Sequence, residues 1–121
     1  MGILHITLAT AFVQVKLYLR EEINLTEMKI LAIEKEIEGI EGDNLEGLLK
    51  DEAQHIYNLY LSDSLREIYF TENKNAILVM ETSNRSEAIK LLDTLPLVKS
   101  RKIKFEVMEL RPYTGYKRII K

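Results

Sequence analysis

Residues 51–70 of the chain have the sequence DEAQHIYNLYLSDSLREIYF. In the first half, apolar residues recur at three- and four-residue steps, as on one face of a helix. The second half is rich in Ile, Tyr and Phe, which favour strands. The stretch therefore predicts the end of a helix, a tight turn and a strand from Leu65 to Phe70. Two charges interrupt the apolar patterns, Glu52 on the helix and Arg66 on the strand.

Strand and helix patterns alternate on both sides of this stretch. The predicted elements are a strand over 29–37, a helix capped at Asp43 or Asn44 and running to about Ser62, strands over 65–70 and 76–81, a helix opened by Asn84 and Glu87 and ended by Pro96, and a strand over 103–110. The order β-α-β-β-α-β predicts a ferredoxin-like α+β domain over 28–121. In that fold an antiparallel sheet carries both helices on one face.

The strand over 76–80 is apolar at every position, which indicates that both of its faces are buried. Because the helices cover only one face of the sheet, a second subunit is the simplest cover for the other. We therefore expect a homodimer or higher homo-oligomer in which two sheets meet face to face as a dimeric α+β barrel.

Residues 1–27 differ from the rest of the chain and form a predicted N-terminal extension. Their apolar residues recur at helical spacing, although the β-branched content of 3–15 leaves a strand possible. The extension either packs on the domain or a neighbouring subunit, or is a segment that the domain does not need. Its apolar part is too short to span a bilayer, and its first positive side chain, Lys16, follows that part instead of preceding it. We expect a cytoplasmic protein with no membrane partner.

The composition excludes several classes of protein. The chain of 121 residues has a formal net charge of -2, which argues against nucleic-acid binding by phosphate neutralisation. It has no Cys, so disulfides, thiolate nucleophiles and Cys-based metal sites are ruled out. It also lacks a Gly-rich phosphate loop, a nucleophile elbow and an HExxH motif. We expect no cofactor and no metal.

The two charges inside apolar patterns are the strongest candidates for chemistry. Glu52 lies near the centre of the apolar arc of its helix, where desolvation raises a carboxyl pKa and suits it to acid–base work. Arg66 shares a predicted strand face with Ile68 and Phe70, and its guanidinium suits either Glu52 or a bound acidic ligand. The alternatives are a solvent-facing Glu52 and a structural salt bridge between strand and helix.

Three further side chains are candidates for binding a substrate. His55 follows Glu52 by three residues, so the two side chains can be neighbours, but they make an incomplete metal site. Tyr69 and Tyr113 carry phenols that can donate hydrogen bonds to a carboxylate or an enolate. Tyrosines are more often core or interface residues, which is the competing interpretation.

The sequence resembles the muconolactone isomerase-like family. The resemblance covers Met28–Tyr116 and lies in Asp51-Glu52, in Leu65-Arg66-Glu67-Ile68-Tyr69, and in Leu95-Pro96-Leu97 ahead of the last strand. Members of that family are dimeric α+β barrels of the ferredoxin-like type. This chain departs from them in the turn Ser62-Asp63-Ser64, which lacks the usual Gly, and in its C-terminal tail.

The resemblance implies a small enzyme that needs no cofactor and transfers a proton, of isomerase or lyase type, on a small anionic metabolite. Glu52 would be the general acid/base, and Arg66 would hold a substrate carboxylate or stabilise an enolate. One alternative is a non-enzymatic ligand-binding or structural oligomer with Glu52 and Arg66 as a buried ion pair. A second alternative is a monooxygenase of the same barrel type.

Overall fold

The computed structural model describes residues 27–37 and 45–120 of the chain. The elements in these ranges are β1 (Met28–Glu36), α1 (Leu45–Leu61), β2 (Leu65–Phe70), β3 (Ala76–Thr82), α2 (Arg85–Asp93), α3 (Pro96–Lys99), β4 (Ile103–Leu110) and a 3₁₀ turn (Gly115–Arg118). The predicted helix over 1–27, except for its last residue, and the predicted cap at Asp43 or Asn44 lie outside the described residues. No helix within the described ranges is long and apolar enough to cross a membrane.

The strands form one antiparallel sheet in the order β2-β3-β1-β4. β1 pairs with β3 on one side and with β4 on the other, and β2 pairs with the free side of β3. The predicted α+β class with a four-stranded antiparallel sheet is confirmed, and the arrangement is compatible with the ferredoxin-like type. The predicted strands over 65–70 and 103–110 have the observed bounds.

The core lies on one face of the sheet, because alternate residues of a strand point to the same side. Ile30 and Ala32 of β1 stand opposite Met80 and Leu78 of β3, and all four are fully buried. Residues from α1 and α2 complete this cluster, among them Leu59, Ala88 and Leu92. The helices therefore cover the same face of the sheet, as the pattern predicts.

α2 begins where the capping pattern predicts. The Asn84 side chain accepts a hydrogen bond from the backbone N–H of Glu87 at 2.8 Å. The Glu87 carboxylate accepts a hydrogen bond from the backbone N–H of Ser83 instead of that of Asn84, so the capping box is not reciprocal.

Past the end of α2 the chain differs from the prediction. Pro96 was predicted to end the helix, but it begins a separate short helix, α3. A proline is tolerated in the first turn of a helix because the backbone N–H that it lacks would have no partner within the helix.

The apolar stripe of α1 does not fill the core along its whole length. Leu59 is only 8% exposed, whereas Leu49 is 43% and Tyr60 57% exposed on the same helix. α1 contacts β2 and α3, while α2 contacts β1, β3 and β4. The part of the stripe that does not reach the core borders an open space between α1 and the sheet.

Candidate functional site

A pocket of about 810 Å³ separates α1 from the inner face of the sheet. Most of its wall is aliphatic or aromatic, with Ile56 on α1, Leu65 and Phe70 on β2, and Phe105 on β4. Its charged lining residues are Glu34, Glu52 and Lys74. A concave, mostly apolar space with a few charged groups is the usual form of a small-molecule site.

Glu52 reaches into this pocket from α1. Its Oε1 accepts a hydrogen bond of 2.9 Å from the backbone N–H of Leu97 in α3. Burial raises the pKa of the Glu52 carboxyl above its ordinary value of 4.5, the Leu97 N–H and His55 oppose this, and the charge of Glu34 adds to it. Glu52 is thus half-buried, and the bond to Leu97 fixes one of its two carboxylate oxygens.

Glu34 is a second carboxylate in the same pocket, and the sequence interpretation missed it. It follows Ile30 and Ala32 on the inner face of β1, opposite Phe105 of β4. Its Oε2 accepts from the backbone N–H of Ala76 at 3.4 Å. Burial raises the pKa of the Glu34 carboxyl, the Ala76 N–H opposes the rise, and the charge of Glu36 adds to it. The signal in the sequence was a charged residue at a position of β1 that alternation assigns to the inner face of the sheet.

Lys74 is the cation among the described residues that line the pocket. It lies in the turn between β2 and β3, where its backbone has φ 65° and its N–H bonds to the carbonyl of Thr71 at 2.8 Å. The left-handed conformation and this bond belong to the tight turn that joins the two strands beside the pocket. No motif in the sequence marked Lys74, because a lysine in a polar turn is ordinary.

Arg66 does not lie in the pocket, so the expected approach of Arg66 to Glu52 is wrong. The strand register shifts between Leu65, opposite Met80, and Glu67, opposite Val79. This bulge places Arg66 on the outer face of the sheet together with Glu67. There its guanidinium lies 3.9 Å from the Glu81 carboxylate, and it also contacts Asp63 at 3.3 Å.

The other three candidates also lie away from the pocket lining. His55 is exposed on α1, and its Nδ1 lies 2.9 Å from the backbone carbonyl oxygen of Asp51. Tyr69 is on the outer face, where its hydroxyl donates to Glu67 at 2.8 Å, and this bond raises the pKa of the phenol. Tyr113 is 73% exposed and packs edge-on against Tyr116. Of the five predicted site residues, the structure places only Glu52 in the pocket.

Two other tyrosines border the pocket. Tyr57 and Tyr60 project from α1, and their rings stack with centroids 6.4 Å apart. With Phe70 of β2, which is 74% exposed, they form an aromatic rim on the solvent side. The rim adds flat apolar surface for a ring-shaped ligand.

The described residues offer no cluster of three or more His, Cys, Asp or Glu side chains that could hold a metal ion. Comparison with protein-family models and with curated proteins finds nothing that matches this chain.

Proposed function

We propose that the protein is an isomerase-like enzyme that moves a proton within a small, mostly apolar molecule, with Glu52 as the general acid/base and no cofactor. The observation that carries the proposal is the position of Glu52. Its carboxylate lies in an apolar pocket and is oriented by the Leu97 N–H at 2.9 Å. A desolvated carboxylate is a stronger base than one in water, which suits it to removing a proton beside a carbonyl group.

The bond to Leu97 engages Oε1. We propose that Oε2 is the oxygen that reacts with a bound molecule. In the proposed reaction Oε2 takes a proton from the carbon next to a carbonyl, and the electron pair spreads onto the carbonyl oxygen. The resulting carboxylic acid returns the proton to a carbon further along the conjugated system. A double bond has then moved, and Glu52 is again a carboxylate.

We propose that the ligand carries an anionic group, and that this group binds a residue other than Arg66. Arg66 lies on the other face of the sheet, so it does not serve this pocket. Lys74 takes that place, because it is an exposed cationic residue that lines a pocket which also holds two carboxylates. We propose that the ligand lies with its apolar body between α1 and β2 and its anionic group beside Lys74.

Two lactones that differ in charge test this function. The neutral one is α-angelica lactone, and the anionic one carries a carboxymethyl group in place of the methyl group. The isomerisation of each to its conjugated form is followed by ultraviolet absorbance. We expect Glu52→Gln to slow catalysis at least about 100-fold, because general acid–base catalysis contributes about 100- to 10,000-fold.

Glu52→Gln is a suitable variant because its amide oxygen still accepts from the Leu97 N–H, so the fold should persist. Lys74→Gln should raise the KM of the anionic lactone several-fold and leave that of the neutral one unchanged. Equal turnover by wild type and Glu52→Gln, with both of these proteins folded, would contradict the proposed role of Glu52.

A second candidate is a protein that binds such a molecule without converting it. It is favoured by the predominance of apolar and aromatic residues in the pocket wall. Calorimetric binding of the lactones to wild type and to Glu52→Gln distinguishes the two functions. Equal affinity in both proteins, with no isomerisation by either, would favour simple binding.

We also propose that two chains associate through the outer faces of their sheets to form a dimeric α+β barrel. The support is a row of half-exposed apolar side chains that continues across the paired strands: Leu31, Ile33, Ile77, Val79 and Met108. The described α-helices contribute to the core on the opposite face. Charges of both signs flank the row, among them the ion pair of Lys35 with Glu106, which suits a self-complementary contact.

A further inference from the structure

The segment that follows β4 differs in charge from the rest of the chain. Residues 111–121 have the sequence RPYTGYKRIIK, with four Lys or Arg and no Asp or Glu. The segment therefore carries a charge of +4, whereas the other 110 residues carry -6 of the chain's net charge of -2. Such a concentration of one sign suits a partner of the opposite sign.

The same segment exposes large apolar side chains. Tyr113, Tyr116, Ile119 and Ile120 are each at least 63% exposed. The 3₁₀ turn among them makes no extensive contact with any other described helix or strand. Single apolar residues on a surface are ordinary, but four within one short segment form a patch of the kind that marks an interaction site.

Local contacts give the segment a defined shape. In the turn Gly115–Arg118 the backbone N–H of Lys117 donates to the carbonyl of Thr114 at 3.1 Å. The rings of Tyr113 and Tyr116 meet edge-on, with centroids 5.0 Å apart. The basic and apolar side chains therefore stand on or directly beside one compact turn.

Two of the basic side chains face solvent without an acidic neighbour. Lys117 and Arg118 are exposed and take part in none of the ion pairs found among the described residues. Arg111 differs, because its guanidinium lies 3.2 Å from the Glu109 carboxylate. Within the described part of the segment, the positive charge available to a partner thus comes from the two residues directly before the isoleucines.

We propose that residues 111–121 bind the surface of an anionic phospholipid membrane. The Tyr and Ile side chains enter the headgroup region, and the Lys and Arg side chains contact the lipid phosphates. Tyrosine is favoured at the boundary between lipid and water, and anionic headgroups attract each basic residue. The expectation of no membrane partner rested on the lack of a spanning segment in residues 1–27, and binding at the surface needs no such segment.

The apolar side chains favour a lipid surface over a nucleic acid. Nucleic-acid phosphates would also attract Lys117 and Arg118, but they would leave Ile119 and Ile120 in water. A lipid surface accepts both kinds of side chain and requires no complementary shape. The acidic remainder of the chain would be repelled by the same surface, so only this segment would face the membrane.

Sedimentation with lipid vesicles tests the proposal on the full chain. Vesicles of phosphatidylcholine alone are compared with vesicles of phosphatidylcholine and phosphatidylglycerol in equal parts. We expect wild type to bind the mixed vesicles and not the neutral ones, and to be released as added salt screens the charges. No binding to the mixed vesicles, or equal binding to both kinds, would overturn the proposal.

Two double variants examine the charges and the apolar side chains separately. Lys117→Gln/Arg118→Gln should weaken binding to the mixed vesicles about 25-fold, since each basic residue near an anionic surface strengthens binding about fivefold. Ile119→Ser/Ile120→Ser should weaken it at least about tenfold, because apolar groups no longer enter the lipid. All four side chains are exposed, so both variants should fold, which circular dichroism verifies. Wild-type affinity in either folded variant would overturn the proposal.

A matched control removes the same charge elsewhere. Arg85→Gln/Lys90→Gln changes two exposed residues of α2 and should bind the mixed vesicles as wild type does. An equal loss in this control would show that net charge alone governs binding, and would overturn the role of the segment.

Two other occupants of the segment are distinguished by separate measurements. Tighter binding of wild type to labelled duplex DNA than to the mixed vesicles, at the same salt, would overturn the proposal in favour of a nucleic acid. Sedimentation velocity without lipid examines a second copy of the chain. If Ile119→Ser/Ile120→Ser separates a wild-type dimer into monomers, a second copy covers the isoleucines and the proposal fails.

Discussion

Leucines on helix α1 provide the sharpest test that the space beside Glu52 is an open pocket. Leu59 and Leu49 belong to the same apolar stripe, but Leu59 is 8% exposed in the core and Leu49 is 43% exposed on the pocket wall. Leu61, which is 60% exposed at the end of the helix, is the matched control. We expect substitution of each by Ala to lower the free energy of unfolding in the order Leu59, Leu49, Leu61.

The expected losses of unfolding free energy follow from how deeply each leucine is buried. Leu59→Ala removes three buried carbons and leaves a cavity, and should cost about 3 kcal/mol within the range of about 2 to 5 for such changes. Leu49→Ala removes the same carbons from a side chain about half buried, without a new cavity, and should cost about 1 kcal/mol at about 0.8 kcal/mol per buried carbon. Leu61→Ala should cost less than about 0.5 kcal/mol.

Urea unfolding followed by far-ultraviolet circular dichroism measures the free energy of unfolding of all three variants. At about 4 °C for each kcal/mol, the melting temperature should fall by about 12 °C in Leu59→Ala and by about 4 °C in Leu49→Ala. An equal loss in these two variants would show that α1 is packed along its whole stripe. That result would refute the pocket and, with it, the site built around Glu52.

Two further predictions concern pH and association. Burial raises the pKa of both Glu34 and Glu52, so the folded protein binds more protons than the unfolded chain above the ordinary value of 4.5. The contribution of these two groups to stability is therefore fully present below that value and is lost as pH rises through their raised pKa values. A Glu34→Gln/Glu52→Gln double variant should flatten this loss in the urea midpoints, and an unchanged dependence of the midpoints on pH would contradict the raised pKa values. For association, Val79→Asp on the outer sheet face should turn a dimer into a monomer in analytical ultracentrifugation, whereas Ser86→Asp on exposed α2 should not. A wild type that sediments as a monomer would contradict the proposed barrel.

Local patterns were sufficient to predict the elements. Alternation in β3 places Ala76, Leu78 and Met80 on the buried face, and all three are in the core. The side chain of Asn84 opens α2 through a bond that depends only on residues of the same turn. Hydrophobic periodicity and caps act over a few residues, so the sequence displays them directly.

Glu52 was also predictable, because a carboxylate inside an apolar helical stripe breaks a regular pattern. Arg66 shows where this reasoning fails. Strict alternation assigns it to the face of Ile68, but the bulge between Leu65 and Glu67 reverses its direction. A bulge depends on how two strands align, and the sequence of one strand does not display that alignment.

Patterns within the sequence are thus enough to predict the succession of strands and helices, the buried face of the sheet and one carboxylate of the pocket. That Glu34, Glu52 and Lys74 line the same pocket, and that Arg66 lies on the opposite face, becomes visible only in the folded chain. The physical reason is the range of the interactions. Periodicity and capping join neighbours in the chain, whereas a pocket joins residues that only strand pairing and helix packing bring together.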